Sequence, residues 1–393
     1  RAKSVAEEGS WRRVEARSGF LPSVQASASR LLGREWLYTD VTLGGNPVSV
    51  PQILPTTVYG LGANWVLFDG LANVERFKSA KALEKAGRQD LDWTRFQGSR
   101  NVVLLFYRAL AAQTLREVAE ANLKTLEDHL NDVNLFKKAG TGTKFDVLRV
   151  DVQASEARSE LLNATDNMSI SMLRLGELLG EDLSTRELQG KLPVLAPELV
   201  KDLKYDEERR ADLHALRSRI EGLDSASSAA NRFWVPRVSL GGQYQHYNNL
   251  NNEFSGDGFR DAYSVALNLN WNIFDGGVSY ARDRQAVEQK VQAEKTLVVN
   301  RLKSKNDFEF WRRRYLYFAS VYQARTGDVA KSTESVRLAK EGRRVGTRTN
   351  TDLLDAEAEL FRARAGLVNS QIGAVESLIN LEIATGQNIF QAQ

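Results

Sequence analysis

The residues best suited to act on a charged solute are two aspartates, Asp352 and Asp355, three positions apart and so on roughly one face of a helix. Only if a symmetry axis repeated them into rings at a constriction would carboxylates spaced in this way favour cations and bind a blocking divalent ion. Asp146 and Asp352 each close a T-x-x-D run, Thr143-Lys144-Phe145-Asp146 and Thr349-Asn350-Thr351-Asp352. Such a run is a variant of the capping box, which satisfies orphan amides and places a carboxylate in the first helical turn. Capping alone accounts for Asp146 and for part of Asp352, and leaves Asp355 without a structural reason. In the first run the position of Asp355 is taken by Arg149, so the acidic pair belongs to the second run only. Little else points to chemistry. His129, His214 and His246 are too far apart for a helical metal pair, and the absence of cysteine removes disulfides, thiolate sites and cysteine nucleophiles. There is no phosphate-cradling glycine loop and no nucleophile elbow. The expectation is a protein with no catalytic residue, no cofactor and no metal site.

The 393 residues carry 53 basic and 50 acidic side chains, a formal charge of +3. A nucleic-acid footprint would need local clustering, and Arg312-Arg313-Arg314 alone offers it; a solvated helix face explains that triplet better. No run of 18 apolar residues exists, which excludes a transmembrane helix, while transmembrane β-strands leave a weaker trace. The chain starts, at Arg1-Ala2-Lys3, inside a helical pattern, so a trimmed or mature form with a truncated first helix is expected.

The elements that position the aspartates come from a repeat. Asn64-Trp65-Val66-Leu67-Phe68-Asp69-Gly70 returns 206 residues later as Asn270-Trp271-Asn272-Ile273-Phe274-Asp275-Gly276. Gly140-Thr141-Gly142-Thr143 returns at the same spacing as Gly346-Thr347-Arg348-Thr349. Phe20-Leu21-Pro22 matches Trp234-Val235-Pro236 at a spacing of 214, which places an insertion in the first copy between Pro22 and Asp69. The pattern is a tandem duplication.

All seven prolines avoid the stretches 71–138, 145–180, 278–342 and 351–386, where one would cost about 3 kcal/mol in a helix interior. Leu353, Ala356, Leu360, Ala363, Leu367, Ser370, Ala374, Ser377 and Leu381 step by three and four, as do Val147, Val150, Ala154, Ala157, Leu161, Ala164 and Met168. These are coiled-coil seams rich in small residues. Period-two stretches separate the helices. Tyr263, Val265, Leu267, Leu269 and Trp271 share one face, as do Tyr59, Leu61, Ala63 and Trp65. Each follows an earlier strand, 23–32 or 237–247, so two hairpins are expected, with linking loops 33–56 and 248–261 outside the sheet.

A helix of ~68 residues spans about 100 Å, and helices 145–180 and near 205–232 together match it. They should stack end to end and antiparallel to the long helix, with 181–204 forming a small side domain at the break. The last helix should dock likewise on the helix at 1–19. Strands of about nine residues, apolar on one face and small or polar on the other, with Trp and Tyr at the rim, have the composition of a membrane β-barrel with a wet interior. Four strands cannot close a barrel with a lumen, and open edges are not tolerated in lipid, so the chain is expected to oligomerise around an axis.

These features resemble the TolC-like outer-membrane factors, the channels of tripartite efflux pumps and of type I secretion. The resemblance rests on the Phe-Asp-Gly junctions at 68–70 and 274–276, on Val345-Gly346-Thr347-Arg348-Thr349 leading to Asp352-Leu353-Leu354-Asp355, and on the duplication that contains both. It implies a mainly α fold with membrane β: long coiled-coil helical hairpins forming a trimeric α-barrel, capped by a shared 12-stranded antiparallel β-barrel, with a small equatorial domain. The corresponding divisions are 1–19 (first helix), 20–69 (first β-hairpin), 70–180 (first helical hairpin, tip 139–146), 181–204 (equatorial segment), 205–233 (helix), 234–275 (second β-hairpin), 276–386 (second helical hairpin, tip 343–352) and 387–393 (tail).

By that likeness the tips form a periplasmic mouth. Gly140, Thr141, Gly142, Val345, Gly346, Thr347 and Arg348 would meet a periplasmic adaptor, which joins the duct to an inner-membrane pump. Threefold symmetry would stack Asp352 and Asp355 into two carboxylate rings. The resemblance implies that the closed mouth is held by Asp146 and Arg348, with Arg343 standing where a family member can carry a linking tyrosine. It places the chain in the outer membrane and periplasm of a Gram-negative envelope, with outer-membrane lipid around it. The function implied is passive exit of solutes, with polypeptide secretion as the alternative. A coiled-coil rod would use the seams and have no use for the amphipathic hairpins.

Overall fold

The computed structural model describes residues 1–32, 38–51, 55, 57–184, 186–194, 196–248 and 258–390. In chain order the elements are α1 (Ala2–Ser18), β1 (Ser23–Arg30), β2 (Tyr38–Leu43), β3 (Asn46–Pro51), β4 (Thr57–Phe68), α2 (Ala72–Lys138), α3 (Lys144–Leu179), α4 (Ala211–Ala230), β5 (Arg237–Asn248), β6 (Phe259–Asn270), α5 (Val278–Arg344) and α6 (Asn350–Thr385). Short 3-10 turns lie at Pro197–Val200, Glu207–Arg209 and Asn231–Trp234. Among the described residues no helix is long and apolar enough to cross a membrane.

The chain forms two compact units. The first, residues 1–91 and 214–297, holds the sheet. Its strands run antiparallel in the order β1-β4-β5-β6, so β1 and β6 are the edges. β2 and β3 form a separate two-stranded ribbon inside the segment expected to be loop. The apolar alternation there is short and broken by Pro47 and Pro51, which hid it in the sequence. β5 reaches Asn248 and β6 starts at Phe259; the rest of the second linking loop, 249–257, lies outside the described residues. Helix α1 lies close on α2, where a Cβ at Gly9 would sit 3.4 Å from the Glu84 backbone. Glu84, buried there, is paired with Arg13 and Arg88.

The second unit, residues 92–213 and 298–393, is helical. The seams read from the sequence are its cores. Val150, Ala154 and Ala157 of α3 pack with Leu126 and Val133 of α2 and Leu354 of α6. Val336 and Ala339 of α5 pack with Leu353 and Ala356 of α6. Further along, Val375, Leu378, Ile379 and Leu381 are fully buried beside Tyr315 and Phe308. Small residues on α6 allow this closeness: a Cβ at Gly373 would lie 2.6 Å from the Phe318 ring. Helices α3 and α6 both stop at a glycine in the left-handed region, Gly180 (φ 73°) and Gly386 (φ 71°).

The described residues between Gly180 and Ala211 carry little regular structure beyond two 3-10 turns, and several of them are anchored. Leu183 joins one core and Val200 another, and the Tyr315 hydroxyl donates to the Ala196 carbonyl at 2.8 Å. The helix expected from about 205 starts only at Ala211. Arg210 is held extended (φ −95°, ψ 106°). Its guanidinium forks onto Asp212 and also donates to the Ala384 carbonyl at 2.9 Å. A tertiary anchor of this kind overrides helix propensity.

Candidate functional site

Two features could act on a solute: the sheet and the pair of helix tips. The register sorts the sheet into two unlike faces. Tyr59 stands opposite His246, Leu61 opposite Tyr244, Ala63 opposite Gly242 and Trp65 opposite Leu240, and this face continues across β6 through Tyr263, Val265, Leu267 and Leu269. It is apolar and open: Tyr263 is 85% exposed and Val265, Leu267 and Leu269 about 70%. Tyr59, Leu61, Trp65 and Trp271 are exposed as well. The residues in between, Ser23, Gln25 and Ser27 of β1, Asn64, Gln243, Ser264 and Asn268, line a trough of about 440 Å³ on the other face. Glycines clear space for them: a Cβ at Gly60 would lie 2.6 Å from Ser27 Oγ.

Both ends of the apolar face are edged by amphipathic groups. At the helix end Trp65 Nε1 donates to the Phe20 carbonyl and Trp271 Nε1 to the Trp234 carbonyl, each at 3.0 Å. Donor and acceptor match in both copies of the repeat. At the other end His246 stacks on Phe259 with centroids 4.7 Å apart, and its Nδ1 lies 2.7 Å from Asp261 Oδ1, which also accepts from the Tyr244 hydroxyl.

The two Phe-Asp-Gly junctions turn strand into helix by one device. Asp69 Oδ2 accepts the Asn73 amide at 2.9 Å and Asp275 Oδ2 the Ser279 amide at 3.0 Å. The glycines that follow are left-handed, Gly70 at φ 70° and Gly276 at φ 71°.

The tips are built alike. Thr143 and Thr349 are the N-caps of α3 and α6, each in a complete capping box with Asp146 or Asp352. The Thr143 hydroxyl's hydrogen bond holds the Asp146 carboxyl below its ordinary value, and the more distant charge of Arg343 acts in the same direction. The Thr349 amide and hydroxyl do the same for Asp352, with Arg348 as its nearby charge. Gly140 and Gly346 turn the chain at φ 79° and 80°. A Cβ at Gly142 would lie 2.9 Å from the Lys137 amide. The second copy reverses the sizes: Arg348 fills the place of Gly142, and Gly342, where Phe136 stands in the first copy, makes room for it. Thr141 and Thr347 donate back to Phe136 and Gly342 carbonyls, and Val345 is 67% exposed.

Asp355 is exposed, one turn along α6 from Asp352. Within the chain no ion pair joins Asp146 to Arg343 or Arg348 among the described residues; the Arg343 guanidinium lies over the Phe136 ring, 5.1 Å from its centroid. Other groups tie the two tips together. Arg149 Nη1 donates to Thr351 Oγ1 at 3.0 Å. Buried His129 contacts Glu357 Oε2 at 2.9 Å through Nδ1 and Asn350 Oδ1 at 2.8 Å through Nε2. The sequence reading missed this network because its members lie more than 200 residues apart. The spacing of 206 between the tips was the available signal, since it implies that the tips lie side by side.

A four-stranded sheet with unlike faces and long paired helices match the fold of outer-membrane channel structures. The sequence pattern of the outer membrane efflux protein family matches residues 11–181 and 206–387, and the chain belongs to that family. It is a TolC-like outer-membrane factor, resident in the outer membrane and extending into the periplasm.

Outer membrane protein TolC of Vibrio cholerae serotype O1 is 22% identical over 293 residues, 72% of this chain and 66% of its own length. Outer membrane efflux protein BepC of Brucella suis is 23% identical over 343 residues, 84% of this chain and 72% of its own length. Alkaline protease secretion protein AprF of Pseudomonas aeruginosa is 22% identical over 97% of this chain and 79% of its own. Among solved structures, the outer-membrane channel OprN superposes with a TM-score of 0.79 at 22% identity, covering 99% of this chain and 86% of that one. VceC of Vibrio cholerae gives 0.81 at 17%, covering 99% and 92%.

Proposed function

We propose that the chain is one third of a passive exit duct that carries solutes expelled by an inner-membrane pump across the periplasm and outer membrane. The observation that carries this reading is the sheet. Its apolar face is exposed along its length, and its edge strands β1 and β6 are unpaired on their outer sides among the described residues. In lipid such edges must be paired, and three copies of four strands make a closed 12-stranded barrel whose polar face lines the lumen. The duplicated helical hairpins then form the α-barrel below it, with residues 181–204 at its equator.

In this reading the tips are the periplasmic mouth, gated through Asp146, Arg343 and Arg348. Asp352 and Asp355 form two carboxylate rings there, and the turn residues at 140–142 and 345–348 meet the adaptor. No step of chemistry is asked of the chain, so it is not an enzyme. Small-molecule efflux is favoured; the match to AprF across nearly the whole chain supports secreted polypeptides as the second cargo class. The test is size and conductance. The full chain in detergent should elute as a trimer and insert into planar bilayers as a channel. A lipid-free monomer stable in plain buffer would sink the reading.

A further inference from the structure

The helix end of the polar sheet face opens into a cavity of about 610 Å³. Four arginines line it: Arg76 of α2, Arg232 of the turn after α4, Arg237 at the start of β5 and Arg282 of α5. Their neighbours in the wall are neutral amides and hydroxyls such as Asn64, Ser239 and Asn270. Asp69 is the one carboxylate in the lining. It is already engaged, 3.6 Å from Arg76 and accepting the Asn73 amide. Asp283, next to Arg282, is buried and accepts from Asn231 instead. The guanidinium groups of Arg232, Arg237 and Arg282 make no hydrogen bond or ion pair among the described residues.

Unpaired guanidinium groups around one concavity repel each other and raise the local potential, and low-dielectric walls focus it. Each is a planar fork of donors that fits a carboxylate, phosphate or sulfonate through two parallel hydrogen bonds. The direction of approach follows from the register. Asn64, Arg237, Ser239 and Asn270 belong to the polar face, whereas Trp65 and Leu269 point to the apolar one. The cavity therefore opens on the polar face, which in the proposed duct meets water and not acyl chain.

We propose that this cavity binds multivalent oxyanions in solution, such as solutes bearing several carboxylate, phosphate or sulfonate groups. The inference rests on the polar face being a lumen wall. It gives the duct an anion-selecting site whose charge is opposite to that of the Asp352 and Asp355 tip.

The test uses the purified detergent-solubilised protein and the trisulfonate dye pyranine, followed by fluorescence anisotropy. The wild type should bind the dye at low ionic strength and release it to citrate. The variant R232Q/R237Q/R282Q should bind roughly tenfold more weakly or worse, with R237Q alone in between, at unchanged trimer elution. Equal affinity in wild type and triple variant overturns the site. So does displacement by phosphatidylglycerol in mixed micelles where citrate has no effect, because the occupant is then a lipid headgroup. A bilayer arm separates the two readings. In a salt gradient the reversal potential of the triple variant should move toward cation preference, and no movement counts against the site. Dye binding that needs the arginines in a protein that never conducts leaves the site standing and removes the duct.

Discussion

Leu71 is the one non-glycine residue with positive φ among the described residues, at 69°. The matching position of the second copy is Gly277, at φ 88°. A side chain in that region costs about 1–2 kcal/mol, and glycine returns part of the gain as entropy of the unfolded chain. Leu71→Gly should therefore stabilise the protein by about 0.5–1 kcal/mol, and Gly277→Leu should destabilise it by a similar amount. Thermal unfolding of the detergent-solubilised protein measures both. At this scale the sequence was legible wherever the contact was local. Thr143 with Asp146 and Thr349 with Asp352 are three residues apart, and both boxes formed. The four arginines of the cavity come from α2, a turn, β5 and α5, and no local pattern joins them. His129, set aside for lack of a metal partner, works instead with Glu357 and Asn350.

Among the elements, the long helices were legible to within a residue or two because proline excludes itself from them and the three-and-four steps persist for about six to eight turns in α3 and α6. Helix α4 was misjudged at its start, since the anchor of Arg210 on Asp212 and Ala384 is tertiary. The β2–β3 ribbon was missed because Pro47 and Pro51 read as loop, although proline is tolerated on an edge strand. The strand pattern makes a directional prediction. If the apolar face meets acyl chains, Leu267→Arg should cost about 2–4 kcal/mol. Ala266→Arg, one residue earlier and on the polar face, should cost much less. The fraction of heat-resistant oligomer on a semi-native gel distinguishes the two, and equal losses would argue against a lipid face.

For the whole molecule, the decisive property is what one copy leaves unfinished. Among the described residues two strand edges are bare and an apolar face is uncovered, which are hazards for a lone chain and, in the proposed duct, the joints between copies. Within one copy, Arg149 with Thr351 and His129 with Asn350 already tie the two tips. Any gate must therefore act through groups these ties leave spare, and Arg348, without an ion pair among the described residues, is the leading one. Arg348→Glu should leave trimer assembly intact and raise single-channel conductance in planar bilayers; unchanged conductance would remove it from the gate.

The tethered indoles of Trp65 and Trp271 have a practical consequence. Each ring is leashed through its nitrogen to the carbonyl of the segment that leads into the sheet, so neither can drift in height without the strands moving too. If the sheet is the lipid-facing barrel proposed above, the protein carries a built-in depth gauge. Lipids brominated at graded positions along the acyl chain would quench both rings at one level in an upright cylinder, and at two levels in one that leans.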